Sequence, residues 1–158
     1  MSNITPFLWF DTEALEAARF YTSIFPNSKI LGQENFDNTG PDEKQTVQLI
    51  SFDLNGARFT AMNAGPLFKF NESISFLIDC KDQTEVDYYW EKLLADGGTE
   101  SQCGWLKDKF GLSWQVVPQQ LSELMSKGTD EQSARVMHAM MGMAKLNVDE
   151  LQNAFDGK

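Results

Sequence analysis

The 158-residue sequence predicts an α+β fold in which one succession of elements, a strand, a helix and further strands, occurs twice. Two observations support this prediction. Short segments with apolar residues at every second position indicate strands, and longer segments with apolar residues three and four apart indicate helices. The two halves can also be laid over each other, with Asp11 matching Asp79 and residues 56–59 matching residues 111–114. Such an internal repeat indicates two copies of one supersecondary unit.

The first half contains one complete succession. Residues 4–10 (ITPFLWF) are apolar and aromatic enough for a strand, and we expect Asp11 or Thr12 to cap the helix TEALEAARFYTSIF, which Pro26 ends. Three predicted strands follow, SKILGQENF, KQTVQLISFDL and ARFTAMN. A tight turn at Asn55-Gly56 joins the last two of these strands.

The second half repeats this order. Residues 73–79 (SISFLID) form a predicted strand, and Asp82 caps the next helix, with Glu85 three residues later. The segments TESQCGWLKDK and LSWQVVP supply further strands, and we expect the charged tip Lys107-Asp108-Lys109 to be exposed. Beyond Pro118 the pattern changes to three helices.

Side chains along the strand LSWQVVP alternate between two faces because successive residues of a strand point in opposite directions. Ser113, Gln115 and Val117 are therefore expected on one face, and Trp114 and Val116 on the other.

Composition and charge exclude several classes of partner. The net charge of −10 and the scattered Lys and Arg residues argue against nucleic acid. The sequence lacks an apolar run of the roughly 20 residues that would cross a bilayer, so we expect no membrane association. The first ten residues do not read as a secretory signal, and we expect a cytoplasmic protein. Cys80 and Cys103 are expected to be free thiols, although they could pair.

Taken together, several runs resemble one known family: PFLWFD, EAARFYTSIFP, FTAMNAGPLFKFNESISF, DQTEVDYYWEKL and CGWLKDKFGLSWQVVP. They resemble the PhnB-like proteins, also described as the 3-demethylubiquinone-9 3-methyltransferase-like domain, of the vicinal oxygen chelate, or glyoxalase-like, superfamily. The resemblance covers nearly the whole chain. It implies paired βαβββ modules whose sheets curl around a shared pocket, the glyoxalase/bleomycin-resistance/dihydroxybiphenyl-dioxygenase-like fold. The sequence offers no strand followed by a glycine-rich loop for a nucleotide-like methyl donor, so it does not itself predict methyl transfer.

This resemblance implies a division of the chain. We expect a glyoxalase-like domain over residues 1–118, made of modules 1–64 and 73–118 that are joined by the aromatic linker AGPLFKFNE. Residues 119–158 form a C-terminal helical extension.

The resemblance also implies where metal ligands would lie in a metal-dependent member, at Thr5, Thr60, Ser73 and Gln115. None of these side chains is a carboxylate or an imidazole. Hydroxyls and an amide compete poorly with water for a transition metal, so we expect no metal and no cofactor.

Nucleophilic catalysis has little support in the sequence. The single histidine, His138, lies in a predicted helix, where a packed or half-exposed role is the commoner one. The neighbouring Met137, Met140, Met141 and Met143 either line an adaptable surface or, as we favour, pack this helix onto the sheet or a partner subunit. Cys103 is either reactive or a buried, inert thiol, and the sequence favours the inert state.

We therefore expect a protein that binds a small organic molecule in a metal-free apolar pocket and forms a homodimer. The alternative is an enzyme of the same superfamily, of the lyase, isomerase or transferase type, that acts without the usual metal through Gln115, Cys103 or a distant acid. The candidate ligand-binding residues are Thr5, Phe7, Trp9, Thr60, Met62, Ser73, Ser75, Gln102, Cys103 and Gln115.

Overall fold

The computed structural model describes residues 4–39 and 44–158 and divides the chain into two compact units, residues 1–70 and 71–158. The elements of the first unit are β1 (Phe7–Phe10), α1 (Ala14–Ile24), β2 (Lys29–Thr39), β3 (Lys44–Leu54) and β4 (Ala57–Asn63). Those of the second unit are β5 (Ser75–Cys80), α2 (Gln83–Leu94), β6 (Thr99–Glu100), β7 (Trp105–Lys107), β8 (Ser113–Pro118), α3 (Gln119–Lys127), α4 (Asp130–Met141) and α5 (Val148–Asp156).

Each unit contains a four-stranded sheet with the same topology. The strand order is β1-β4-β3-β2 in the first sheet and β5-β8-β7-β6 in the second. The first strand of each unit pairs in parallel with the last strand, and the other neighbours are antiparallel. The predicted α+β fold with a repeated βαβββ succession is therefore confirmed. No helix among the described residues has the length and apolarity that a membrane crossing requires.

Helix α1 covers one face of the first sheet with small and aromatic side chains. Ala14, Ala17 and Ala18 are fully buried, and their small size lets the helix lie close to the strands. Tyr21 follows on the same helix face and stacks on Phe52 of β3, with the ring centroids 6.2 Å apart. The buried side chains of α1 recur three and four residues apart, as expected of an amphipathic helix.

The start of α1 differs from the expectation. Neither Asp11 nor Thr12 caps this helix; the N-cap is Glu13, whose side chain makes no capping hydrogen bond. Instead, the backbone N of Ala14 donates to Oδ1 of Asn63, at 2.7 Å, from the end of β4. A residue 49 positions away thus supplies the acceptor that a local cap normally offers.

Helix α2 has the predicted local cap and buries one apolar face against the second sheet. The Asp82 side chain accepts a hydrogen bond from the backbone N of Glu85, at 3.0 Å. Val86, Trp90 and Leu93 are buried on the sheet-facing side of the helix. They cover the face of the second sheet that carries Trp114 of β8, as the alternation along that strand predicted.

Helices α3, α4 and α5 confirm the predicted extension and share a small core of Leu124, Val136, Met143, Leu146 and Leu151. Val117 of β8 and the half-buried Met140 pack against this core. Met140 and Met143 thus pack among the helices of the extension, whereas Met137 and Met141 are exposed on α4.

Two polar interactions set the ends of these helices. Thr129 and Gln132 form a reciprocal capping box at the start of α4. Arg135 donates from Nε to the carbonyl of Ala154, at 2.8 Å, and from a guanidinium nitrogen to the carbonyl of Phe155, at 2.7 Å. These carbonyls lie in the last turn of α5, where that of Ala154 also accepts from the backbone N of Gly157 at 3.2 Å, so Arg135 ties α4 to the end of α5.

Replacing Asn63 with Ala is expected to lower the free energy of unfolding by about 0.5–2 kcal/mol, because Ala14 N then loses its acceptor. Asn63→Asp is the matched control: it keeps the acceptor but loses the amide that donates to Gln48 Oε1 at 3.2 Å. Urea denaturation of the three proteins measures both effects. Equal losses in the Ala and Asp variants would contradict the capping role and assign the effect to Gln48.

Candidate functional site

The face of the first sheet opposite α1, here called the first open face, brings four of the predicted site residues together. Phe7 of β1 is in register with Thr60 of β4, and Trp9 is in register with Met62. Paired residues of neighbouring strands project to the same side of a sheet, and the intervening Leu8 is buried on the opposite side, beneath α1. Phe7, Trp9, Thr60 and Met62 therefore share one face of the sheet, and their role in ligand binding stays a prediction.

The linker after β4 holds Trp9 in place on this face. Trp9 Nε1 donates to the carbonyl oxygen of Gly65 at 2.8 Å, and the Phe68 ring meets the indole edge-on with centroids 5.0 Å apart. The Phe7 and Phe68 side chains remain 57% and 59% exposed, respectively. Thr5 precedes β1 and is half-buried. The first open face thus combines a fixed indole with two accessible aromatic rings.

The corresponding face of the second sheet, the second open face, carries two rows of side chains across the strands. One row runs through Thr99, Lys107, Ser113 and Ser75, which are in register on all four strands. The adjacent row runs through Trp105, Gln115 and Leu77. A hydrogen bond of 2.8 Å from Gln115 Nε2 to Ser75 Oγ connects the two rows, so these two predicted site residues are in contact.

The remaining predicted residues lie elsewhere in the second unit. Ser73 is exposed before β5, and its hydroxyl donates to the side chain of Asn71. Gln102 and Cys103 lie in the turn before β7, where Cys103 has φ 59°. The backbone N of Cys103 donates to the carbonyl of Met143 at 2.8 Å, which ties this turn to the helical extension. The inert character of the Cys103 thiol stays a prediction.

Neither cysteine is bonded to the other. Cys80 is fully buried at the end of β5, and burial is the main cause that raises the pKa of its thiol to about 12. The carboxylates of Glu85 and Asp79 raise the pKa further. Because only the thiolate is nucleophilic, Cys80 is unreactive near neutral pH.

The residues at the metal-ligand positions of the superfamily do not fit a transition metal. Thr5, Thr60 and Ser73 offer neutral hydroxyls, and the Gln115 amide is engaged with Ser75. Across residues 4–39 and 44–158, no cluster of three or more His, Cys, Asp or Glu side chains is arranged to hold a metal ion. His138 is exposed on α4, in the helical extension.

The expectation of an exposed Lys107-Asp108-Lys109 tip is wrong: the Lys107 and Lys109 side chains are 39% and 19% exposed, and Asp108 is buried. Asp108 is 3% exposed, and its carboxylate accepts hydrogen bonds from Phe110 N, Leu112 N and Trp114 Nε1 at 2.9–3.1 Å. It therefore organises the turn that leads into β8. The signal in the sequence was Asp108 followed three residues later by Gly111, a pattern typical of a turn closed by the aspartate side chain.

A pocket of about 220 Å³ opens on the second open face. It is lined by Glu72, Thr99, Glu100, Ser101, Trp105, Leu106, Lys107 and Ser113. Lys107 forms an ion pair with Glu72, and this hydrogen bond lowers the pKa of the Glu72 carboxyl. Ser113 is 1% exposed, and its Oγ lacks a hydrogen-bond partner within the described part of the chain. The alternation along β8 predicted that Ser113 lies on this face. The neighbouring sequence did not indicate whether its hydroxyl forms a hydrogen bond.

Asp108→Asn is expected to lower the free energy of unfolding by about 2–3 kcal/mol. An amide offers one acceptor oxygen where the carboxylate serves three donors, and its NH₂ group opposes one of them. Asp96→Asn is the control, since Asp96 has a 75% exposed side chain and only a 3.9 Å contact to Lys109. Guanidinium denaturation compares the variants. A loss in Asp108→Asn as small as that in the control would contradict the assigned role.

A family model described as 3-demethylubiquinone-9 3-methyltransferase matches residues 2–117 of the chain. The match ends two residues before the start of α3 at Gln119, so the helical extension lies outside it. No functionally curated protein matched the chain.

Among solved structures, the chain is similar to the PhnB protein from Bacillus cereus, with 34% identity and a TM-score of 0.64 over 74% of this chain and 99% of that one. A protein from Pseudomonas aeruginosa shares 18% identity with a TM-score of 0.58, over 75% and 98% of the two chains. The fosfomycin resistance protein FosX from Listeria monocytogenes shares 17% identity with a TM-score of 0.52, over 80% and 98%. The last two similarities concern the fold alone.

Proposed function

This chain belongs to the 3-demethylubiquinone-9 3-methyltransferase family of the vicinal oxygen chelate superfamily, and we propose that it binds a small organic molecule without a metal. The predicted family and glyoxalase-like fold are thereby confirmed. The ligand and its site are our proposal.

The observation that carries the proposal is the composition of the first open face. Sites for small molecules are mostly apolar and aromatic, with a few polar groups that orient the ligand. Here Phe7 and Phe68 are more than half exposed, Trp9 is immobilised by its hydrogen bond to Gly65, and Thr60 contributes a hydroxyl beside them. An aromatic surface of this kind loses unfavourable contact with water when an organic ligand covers it.

Thr5, Thr60, Ser73 and Gln115 support the metal-free part of the proposal. A transition metal needs deprotonated carboxylate or thiolate, or neutral imidazole, and these four positions supply neither. Binding in this protein then depends on apolar contact and on hydrogen bonds from hydroxyl and amide groups.

A thermal-shift screen against a metabolite library tests the proposal. A ligand at about 100 times its Kd stabilises the folded protein by about 2.7 kcal/mol, which raises the Tm of a chain of this size by several degrees. We expect Phe7→Ala to weaken the best ligand at least about fivefold, because part of the apolar contact is lost. Tyr88→Ala is the matched control, since Tyr88 is an exposed aromatic residue on α2.

Two outcomes would overturn the proposal. If no compound in the library raised the Tm, the proposed binding function would be wrong. A ligand whose affinity is equally affected by Phe7→Ala and Tyr88→Ala would show that the first open face is not its site.

The same assay tests whether the protein binds a transition metal. We expect the parent protein to keep one Tm in chelator, in added zinc and in added manganese, with or without the ligand. One tightly held transition metal per parent chain, found by elemental analysis, would contradict the metal-free site.

We further propose that the protein is a homodimer. Several large apolar side chains of the described residues are exposed, among them Leu31, Phe36, Leu67, Ile74 and Met141. Exposed apolar groups in this number favour self-association, and a two-fold interface is the commonest solution. Sedimentation velocity at micromolar concentration should show a dimer, and a stable monomer would contradict this assignment.

We place the protein in the cytoplasm as part of the same proposal. Its two cysteines are unpaired, which agrees with a reducing compartment.

A further inference from the structure

One row of the second open face consists entirely of groups that can donate hydrogen bonds. Thr99, Lys107, Ser113 and Ser75 are in register across the four strands, so their side chains project to the same side. Three hydroxyls and one ammonium therefore lie side by side. Each of these groups can donate to an oxyanion, and the ammonium adds a full positive charge.

Ser113 is the member of this row whose state needs an explanation. It is 1% exposed, lines the pocket, and its hydroxyl has no hydrogen-bond partner among the described residues. Buried polar groups are nearly always hydrogen-bonded, because removing them from water without a partner is unfavourable. A ligand oxygen in the pocket would supply the missing partner.

Lys107, next to Ser113 in the row, already holds a carboxylate. It is paired with Glu72, which lies before β5 and has a 62% exposed side chain. An ion pair this accessible to water contributes little to stability and exchanges easily. The Lys107 ammonium can therefore bind the carboxylate of a ligand once the Glu72 side chain has moved into solvent.

The second acidic residue of the pocket does not compete for this place. Glu100 accepts a hydrogen bond from Trp90 Nε1 of α2, at 3.0 Å. Its register partner Leu106 is buried on the helix-covered side of the sheet. The Glu100 carboxylate is therefore held by its hydrogen bond to helix α2.

We propose that this pocket binds the carboxylate of a small organic acid. The carboxylate displaces Glu72 from Lys107 and accepts a hydrogen bond from Ser113, while the apolar part of the acid lies along Trp105 and Leu77 in the adjacent row. Leu77 is 59% exposed and available for this contact, and the volume of about 220 Å³ limits the bound group to a compact one. The inference rests on the proposed function and narrows its ligand to an acid.

Isothermal titration calorimetry with acid and amide pairs tests the inference. Benzoate, phenylacetate and hexanoate are compared with benzamide, phenylacetamide and hexanamide, in a chloride buffer of low ionic strength. At least one acid should bind at least about tenfold more tightly than its amide, because only the acid carries the charge that Lys107 attracts.

Variants assign the effect to named residues. Lys107→Gln should weaken the acid at least about tenfold and leave the amide unchanged. Lys127→Gln is the control, since Lys127 pairs with Glu123 on α3 in a solvent-exposed ion pair away from the pocket and should not alter binding. Glu72→Gln should tighten binding of the acid severalfold, because the internal competitor is removed.

Ser113→Ala separates a binding role from a structural one. The ligand-free variant should have a higher Tm than the parent, since an unpaired buried hydroxyl is removed. Its affinity for the acid should nevertheless fall about fivefold. A lower Tm in this variant would show that the Ser113 hydroxyl serves the fold.

The inference is overturned if no acid binds, if the amides bind as tightly as the acids, or if Lys107→Gln binds the acid like the parent. Inorganic phosphate that binds as tightly as the best acid would overturn the assignment to carboxylates. These failures leave the proposed function intact wherever the library screen yields a neutral ligand that Phe7→Ala weakens. Absence of a ligand in both experiments overturns both.

Discussion

The parallel pairing of the first and last strand in each unit is the constraint on which the rest of the structure depends. Two parallel strands cannot be joined by a tight turn, so each unit needs the helix and the two intervening strands to return the chain to the edge where it started. The pairing places Phe7 beside Thr60 and Ser75 beside Ser113, although about 40 to 50 residues separate them along the chain. The first and last strands of each sheet therefore contribute side chains to the same face.

The helix that completes this return covers only one face of each sheet. Apolar side chains such as Phe52 and Trp114 lie beneath the helices, whereas the other faces carry aromatic rings, hydroxyls and charged groups such as Lys107. Groups on those faces do not contribute to the core beneath α1 or α2, although Val117 at the end of β8 packs against the helical extension. Ser113 is the exception, because its buried hydroxyl has no hydrogen-bond partner within residues 4–39 and 44–158.

The helical extension adds a second constraint to the family fold. The backbone N atoms of Cys103 and Gly104 donate to carbonyls of Met143 and Ala144, each at 2.8 Å. A Cβ at position 104 would lie 2.9 Å from the Val116 carbonyl and 3.1 Å from the Leu146 side chain, so glycine is required for this close approach. The turn that carries Gln102 and Cys103 is thereby fixed by residues beyond the end of the family match.

The sequence by itself determined those features that depend on neighbouring residues. The repeated order of elements, the Asp82 cap, the turn at Asn55-Gly56 and the alternation along β8 all follow from periodicity or from residues a few positions apart. Only the tertiary structure decided the features that depend on distant partners. Asn63 supplies the acceptor for the backbone N of Ala14, 49 residues earlier. The buried Asp108 carboxylate accepts a hydrogen bond from Trp114 Nε1 of β8, and Glu72, before β5, pairs with Lys107 of β7. The physical reason is that a polar side chain can be satisfied by many partners, and the fold alone selects which one comes within hydrogen-bonding distance.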